Sequence, residues 1–422
     1  MWRALTESWT LFVGMALLMV SNGLLATLLT LRASGLGFGD GAIGLMQSAY
    51  PVGALFGCLI APRLVGRVGH VRAFAALASL ASAAALVHLV TYDLWSWGAM
   101  RALAGFCYSG LYVVAESWLN GRASNRNRAS LLSIYFVIQT GGAAGGQLLL
   151  NLSSPEGVLL FVVVSILISL SLVPILISAR PAPSLERSER ISLLALFRLS
   201  PMGLTGSFLN GVSQGAIYIG LALYGAAVGL NAGSIGALIG VCTLGGMLAQ
   251  FPIGRLSDRI DRRLAIVGCA GLALPLCLWI AAQGDGPVAT WPLYITVAGI
   301  GALVLPIYSL CVAHTNDYLR PGQVVAASGT LVLVLNGGII LGPTLGASVI
   351  GVLGPPGLFL LLAVVQGLTV ASALFRLWRG QARAEQPGRA MAIAQTATQV
   401  VARLNPEAPP VDDRGDNDSD SP

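Results

Sequence analysis

The chain has 422 residues, of which 55% are hydrophobic and 10% charged, and its mean hydropathy is +0.77. That balance excludes a water-soluble globular protein and reads as a polytopic membrane protein. The net charge of +6 rests on 24 basic residues that are all arginine; they stand in short clusters between apolar runs, not on one polar face, which argues against a nucleic-acid partner.

Taken in order, the chain begins with Arg3 and Glu7. An apolar run of about 20 residues follows, with no small-residue cleavage site, and it reads as a retained first helix, not a removed signal peptide. Crossing a bilayer by helix takes about 20 apolar residues, and twelve such segments succeed one another. In the first half they are 9 to 31, 41 to 61, 73 to 91, 95 to 119, 129 to 151 and 157 to 178. In the second half they are 201 to 226, 233 to 254, 264 to 283, 292 to 314, 324 to 351 and 356 to 378. The segment Arg180 to Ser200, with Pro181, Pro183 and four arginines, reads as a cytoplasmic linker. The polar, acidic end of the chain cannot bury enough apolar surface to fold. The expected organisation is therefore an all-α polytopic membrane protein with 12 transmembrane helices in two pseudo-symmetric six-helix bundles. Residues 1–179 and 201–380 form the bundles, 180–200 the linker and 381–422 a disordered cytoplasmic tail.

Arginine placement orients the helices, because positive loops stay cytoplasmic. With both termini inside, the short cytoplasmic loops hold Arg63, Arg67 and Arg72; Arg122, Arg126 and Arg128; Arg180, Arg187, Arg190 and Arg198; Arg255, Arg259, Arg262 and Arg263; and Arg320. Only Arg32 falls in a short outer loop. Omitting one helix would put the later clusters on the wrong side, so the bias also supports the helix count.

An internal repeat supports the two-bundle division. At an offset of 192, Ser21-Asn22-Gly23 meets Ser213-Gln214-Gly215, Ile43-Gly44 meets Ile235-Gly236, Gly53 meets Gly245, and Arg67 meets Arg259. At an offset of 196, Gly141-Gly142 meets Gly337-Gly338 and Gly146 meets Gly342. Parallel halves of this kind place a substrate cavity between them near the bilayer midplane. Small residues at i and i+4, such as Gly53 and Gly57, allow close helix contact.

The six cysteines all fall in apolar segments without loop spacing, so no disulfide framework or zinc site is expected and packing is their expected role. There is no phosphate-binding loop of the Walker type, and no nucleophile stands with a base; ATP-driven transport and an enzyme are both unsupported. No cofactor is expected.

The stretch Gly254-Arg255-Leu256-Ser257-Asp258-Arg259-Ile260-Asp261-Arg262-Arg263 interrupts the apolar second half with six charges between Arg255 and Arg263. It resembles the loop signature of the major facilitator superfamily between the second and third helix of each bundle, with Asp261 in place of the usual glycine. Its upstream copy, Arg63-Leu64-Val65-Gly66-Arg67-Val68-Gly69-His70, has Gly66 where the pattern has aspartate. The resemblance implies a gating network of Asp258 and the arginines with an acid at the end of the fourth helix of the same bundle, for which Asp317 is placed. Such networks stabilise the outward-facing state. Simple positive-inside anchoring is the competing reading. With the first copy degraded, the second should carry more of the gating. Ala115-Glu116-Ser117-Trp118-Leu119, Asn125-Arg126-Asn127-Arg128, Gly146-Gln147 and Gln250-Phe251-Pro252-Ile253-Gly254 are together similar to the bacterial YcaD-type branch of that superfamily. The antiporter motif of the fifth helix lacks its proline at Gly142 to Gln147, which lowers the standing of a drug antiporter.

Arg101 lies well inside an apolar helix, at a cost of roughly 2.5–3.5 kcal/mol on insertion scales. Arg101-Ala102-Leu103-Ala104-Gly105 resembles the fourth-helix motif R-x-x-Q-G, whose arginine is linked in relatives to proton coupling or anionic-substrate binding. The competing role is a structural arginine reaching the outer surface. Glu116 lies 15 residues on, ~22 Å further along the helix and ~60° around it, too far to pair with Arg101. Two readings stand for Glu116: a proton carrier, since desolvation raises a buried carboxyl pKa, or an anchor for Arg67 or Arg128. Further polar candidates on cavity helices are Asn22, Gln47, Tyr50, Tyr108, Tyr112, Tyr135, Gln139, Asn210, Gln214, Tyr218, Tyr308 and Asn336, each weighed against an interhelical hydrogen bond. His88 is expected at the membrane edge and His314 at a helix end.

The function these residues imply is a monomeric secondary transporter of the bacterial inner membrane, moving a small organic solute by alternating access with proton coupling. Export and uptake both remain open. The alternative is a non-transporting sensor or assembly factor on the same fold.

Overall fold

The computed structural model describes residues 2–120, 128–177, 192–284, 290–319 and 323–378. Arg122, Arg126, Arg180, Arg187, Arg190, Arg320 and the acidic tail lie outside the described residues. The first half is built from α1 (Trp2–Gly35), α2 (Asp40–Val68), α3 (His70–Val87), α4 (Leu94–Asn120), α5 (Arg128–Leu148) and α6 (Leu159–Ile177). A short α7 (Leu193–Leu199), N-capped by Ser192, occupies the end of the expected linker. The second half comprises α8 (Pro201–Ala227), α9 (Ala232–Ser257), α10 (Arg262–Ala281), α11 (Thr290–Val304), α12 (Ile307–Asn316), α13 (Val324–Leu353) and α14 (Gly357–Trp378). All twelve expected segments are helical, and the tenth is split into α11 and α12.

The split follows from Pro306. Its ring clashes with the preceding turn and it lacks an N–H, so the ladder breaks there. The carbonyl of Val304 at the end of α11 is taken by the Asn210 side-chain amide of α8, at 2.7 Å. Asn210 thus repairs a broken helix, and it is not among the cavity-lining residues.

The helices are apolar on both faces, as bilayer helices must be. On α6, Leu160, Phe161, Val164, Ile168 and Ile175 are buried, whereas Leu159, Ile166, Leu170, Val173 and Ile177 are exposed. Among the described residues, nine helical segments are long and apolar enough to cross a membrane. The other three long helices, α4, α5 and α8, are richer in polar and small residues.

The internal repeat is legible in the contacts. A Cβ on Gly53 of α2 would collide with the Ala102 carbonyl of α4, and one on Gly105 of α4 with the Tyr50 carbonyl of α2. In the second half, Gly245 of α9 meets the Ala298 carbonyl of α11 and Gly301 meets that of Cys242 in the same way. Two helices approach backbone to backbone at each place, and the positions correspond across the halves.

The first charged loop shrinks to Gly69 alone, at φ 83°, a left-handed conformation that glycine adopts freely. Arg63 and Arg67 therefore stand on the last turns of α2 and Arg72 on the first turn of α3.

Contacts between the halves gather at the arginine-poor end, where the α1–α2 and α8–α9 turns lie. Ser48 of α2 bonds Thr344 of α13 through their hydroxyls at 2.8 Å, and Gly44 packs on Pro343 and Ala347. On the opposite flank, Gly236 near the start of α9 packs on the Gln147 carbonyl at the end of α5.

Candidate functional site

Between the halves lies a cavity of about 230 Å³. It is walled by α1, α2, α4 and α5 from the first half and by α8, α9 and α13 from the second. The three helices that fall short of spanning hydropathy, α4, α5 and α8, all contribute. Arg101, Ser109 and Tyr112 of α4, Gln139, Thr140 and Gln147 of α5, and Gln214 and Tyr218 of α8 face this space.

Of the residues singled out from the sequence, Asn22, Gln47, Tyr50, Arg101, Tyr112, Gln139, Gln214, Tyr218 and Asn336 line the cavity. Tyr108, Tyr135, Asn210, Tyr308 and Glu116 do not. Tyr108 sits behind the wall, bonded to Ser21 at 2.8 Å. Tyr308 is buried among the residues packed beside α13. Glu116 is fully buried and accepts a hydrogen bond from the Tyr135 hydroxyl at 3.0 Å, which ties α4 to α5.

Arg101 is 3% exposed. Its guanidinium lies 4.5 Å over the Tyr50 ring, a cation–π contact between α4 and α2. Its Nε and Nη1 have no hydrogen-bond partner among the described residues. The arginine is therefore held inside the protein and does not reach the outer surface. Among the described liners, every other polar residue bears no formal charge and none is acidic.

One amide is set by an interhelical bond and two by bonds within their own helix. Asn22 of α1 donates to the Tyr112 hydroxyl of α4 at 3.2 Å. Its repeat equivalent, Gln214 of α8, donates to the Oδ1 of Asn210 at 2.6 Å. The Asn336 amide turns back onto the Val332 carbonyl within α13, at 2.8 Å.

Thr27, Ser109, Thr140, Gln147 and Thr243 also line the cavity and escape a residue-by-residue reading. Gln147 takes the Thr27 hydroxyl and donates to the Gly23 carbonyl, both at 2.8 Å, joining α5 to α1. Helical spacing is the signal that finds them: Ser109 falls on the Arg101–Tyr112 face of α4, and Gln139, Ala143 and Gln147 recur every fourth residue of α5.

At the arginine-rich end, Arg262 donates from Nε to Asp317 Oδ2 at 2.8 Å and from Nη1 to Asp258 Oδ1 at 3.1 Å. Arg263 pairs with Asp261 at 2.8 Å, and Asp261 also caps the start of α10 by accepting from the Arg263 backbone N–H. The Arg263 hydrogen bonds hold the Asp261 carboxyl below the usual carboxylate range. Gly254 lies within the last turn of α9. Arg259 and Arg67 are exposed, and the Asp258 bond runs to Arg262, not to Arg259.

Of the two histidines singled out from the sequence, His88 differs from expectation and His314 does not. His88 is 1% exposed, edge-on to Trp97 at 5.3 Å and stacked on Phe161 at 6.4 Å. The aromatic pocket draws it inside the bundle, away from the membrane edge. His314 stands in the last turn of α12, buried, with its ring edge-on to Tyr318 at 5.2 Å. All six cysteines are free thiols, five of them buried, and Cys58 is the half-buried one that reaches the cavity. No group of His, Cys, Asp and Glu suited to a metal occurs among the described residues.

Comparison with known proteins agrees with this architecture. The sequence profile described as Major Facilitator Superfamily matches residues 11–231 and again 203–407, once per half. An uncharacterized MFS-type transporter, YcaD, of Escherichia fergusonii is 29% identical over 358 residues, covering 84% of this chain and 92% of that protein. An uncharacterized MFS-type transporter of Yersinia pestis is 26% identical over 338 residues, 79% of this chain and 86% of the relative. Among solved structures, the nucleoside transporter NupG superposes with a TM-score of 0.72 at 15% identity, over 89% of this chain and 100% of the other. The human organic anion transporter MFSD10 superposes at 0.61 and 17% identity, over 88% and 99%. Identities this low show a shared fold.

Proposed function

The chain belongs to the major facilitator superfamily and is a membrane transporter, and from that premise and the central cavity we propose that it is a secondary active transporter. It moves a small organic solute across the bacterial inner membrane by alternating access, as a monomer, coupled to protons. The observation that carries this reading is a cavity walled by both halves and closed at one end by Ser48–Thr344 and Gly236–Gln147 contacts. Releasing those contacts while the opposite ends approach would expose the same site to the other side of the membrane.

The positive-inside bias puts the arginine-rich end and both termini in the cytoplasm, so the conformation described is the inward-facing one. Glu116, fully buried below the cavity wall and held by Tyr135, is the candidate proton carrier. Arg101 fixes the solute from the closed end. Asp258, Arg262 and Asp317 form a network inside the second bundle that braces the arginine-rich gate, and Arg67, Gly254, Arg259 and Arg263 flank it.

Solute flux in proteoliposomes tests the coupling. An imposed pH gradient should drive accumulation in the wild type. Glu116→Gln should lose gradient-driven accumulation while retaining exchange of solute against solute. Flux indifferent to the gradient in the wild type would overturn the proton coupling.

A further inference from the structure

We infer that the solute of this cavity presents an uncharged N–H or O–H donor to the side-chain oxygen of Gln47; calling the ligand a solute rests on the transport reading, whereas its hydrogen-bonding chemistry rests on the cavity wall. Gln47 of α2 lines the cavity and is 1% exposed. Its nitrogen is spent on α1, donating to the Ala26 carbonyl at 3.1 Å and to Thr30 Oγ1 at 2.8 Å. The Thr30 hydroxyl gives its own proton to the same Ala26 carbonyl, at 3.1 Å. These bonds fix which way the amide points, because turning it over would set oxygen against the Ala26 carbonyl oxygen. Oε1 is thereby held on the opposite fork, and it finds no partner among the described residues.

Gln147 of α5, another liner, shows what a glutamine that only braces does. Its oxygen accepts from Thr27 and its nitrogen donates to the Gly23 carbonyl, so both ends of that amide are employed. Gln47 braces with one end and leaves the other idle. A buried carbonyl oxygen without a donor is costly, and a ligand that brings a donor removes the cost. Gln47 adjoins Ser48, whose bond to Thr344 closes the arginine-poor end, so the donor is read at the shut end of the cavity. An ammonium is a poor source of it, since Arg101 puts a positive charge on the wall and no described liner is acidic. The donor therefore belongs to an amide or a hydroxyl.

The test is binding to the purified full-length protein, read as thermal shift and as protection from a maleimide of Cys58, which lines the same cavity. The probes are two pairs of isomers that differ in the donor. Para-cresol keeps its O–H and anisole has it methylated; para-ethylbenzamide keeps its N–H groups and N,N-dimethylbenzamide has them methylated. In at least one pair the donor-bearing isomer should bind the wild type more tightly, by roughly 5- to 150-fold, the factor for a buried acceptor left unsatisfied. The pair with the larger ratio identifies the donor. In Gln47→Met, which keeps the length and lacks the acceptor, the ratio should collapse. Because each ratio is taken within one protein, the lost brace to α1 cancels, and the wild-type ratio is decisive even where the variant fails to fold. A wild type that binds neither donor-bearing isomer or prefers neither to its methylated counterpart, or a ratio unchanged in a folded Gln47→Met, overturns the inference. Flux measured in parallel separates this from the transport reading. Donor-selective binding without flux would remove the transport and keep the role of Gln47, whereas flux with no preference between isomers would do the reverse.

Discussion

Arg262 at the start of α10 and Asp317 just past α12 are joined at 2.8 Å, with side chains only 3% and 7% exposed. The position 192 residues before Arg262 is His70, which bonds Ser117 of α4 at 2.9 Å. Both halves thus tie the start of the third helix to the fourth, one with an ion pair and the other with a neutral hydrogen bond. The longer arginine reaches one turn further along its partner than the histidine does.

The charge and burial of these ties set an order of stability. Asp317→Asn removes the buried carboxylate of the pair and leaves Arg262 with the more exposed Asp258, so it should lower unfolding stability the most, by up to about 3–5 kcal/mol. Ser117→Ala should cost about 1 kcal/mol. Asp258, 31% exposed and paired at i, i+4, should contribute roughly 0.3–0.5 kcal/mol. Thermal unfolding of the three variants in detergent ranks them; equal losses at Asp317 and Asp258 would contradict the order.

Backbone contact at the repeated glycines gives a second expectation. Gly53→Ala drives a methyl group into the Ala102 carbonyl, a part of α4 that cannot rotate away, and should cost about 1–3 kcal/mol. At Gly98, also in α4, an added methyl group would meet nothing within 4 Å, so Gly98→Ala should be neutral or stabilising by up to about 1 kcal/mol. Comparing their melting temperatures decides between packing and mere tolerance of small residues.

Much of the fold is legible in the sequence, and the reasons for the remainder are physical. Apolar length marks nine of the spans among the described residues, because lipid requires it, and the arginine bias and the repeat supply α4, α5 and α8. The offset of 192 pairs Gly53 with Gly245 before any contact is seen. The break at Pro306 escapes such a reading, since spanning length does not register a single missing N–H. His88 is misplaced by sequence because a polar residue near a helix end resembles an interfacial one, while Phe161, which helps Trp97 enclose it, is distant along the chain. Arg101 can be recognised as costly, but its proximity to Tyr50 of another helix cannot. Only the packing of α4 and α8 separates the many tyrosines and amides into cavity liners and braces.

Acid stability offers a third expectation. The Asp261 carboxyl is held below its ordinary value by Arg263. A depressed folded-state pKa contributes stability that is present above the unfolded value of ~3.9 and is lost as pH falls through the folded value. Unfolding followed from neutral to acid pH should show this loss in the wild type and a flatter acid limb in Asp261→Asn. An unchanged limb would remove Asp261 from the acid response.

The central claim, one cavity opened to alternate sides, is tested most directly at Cys58, the half-buried thiol that lines it. Ser48 and Thr344 hydroxyls lie 2.8 Å apart, so cysteines at both positions can be joined by a disulfide. In proteoliposomes, the locked protein should react at Cys58 with an impermeant maleimide from the arginine-rich face only, and solute flux should stop until the disulfide is reduced. Labelling from both faces, or undiminished flux in the locked protein, would contradict the account.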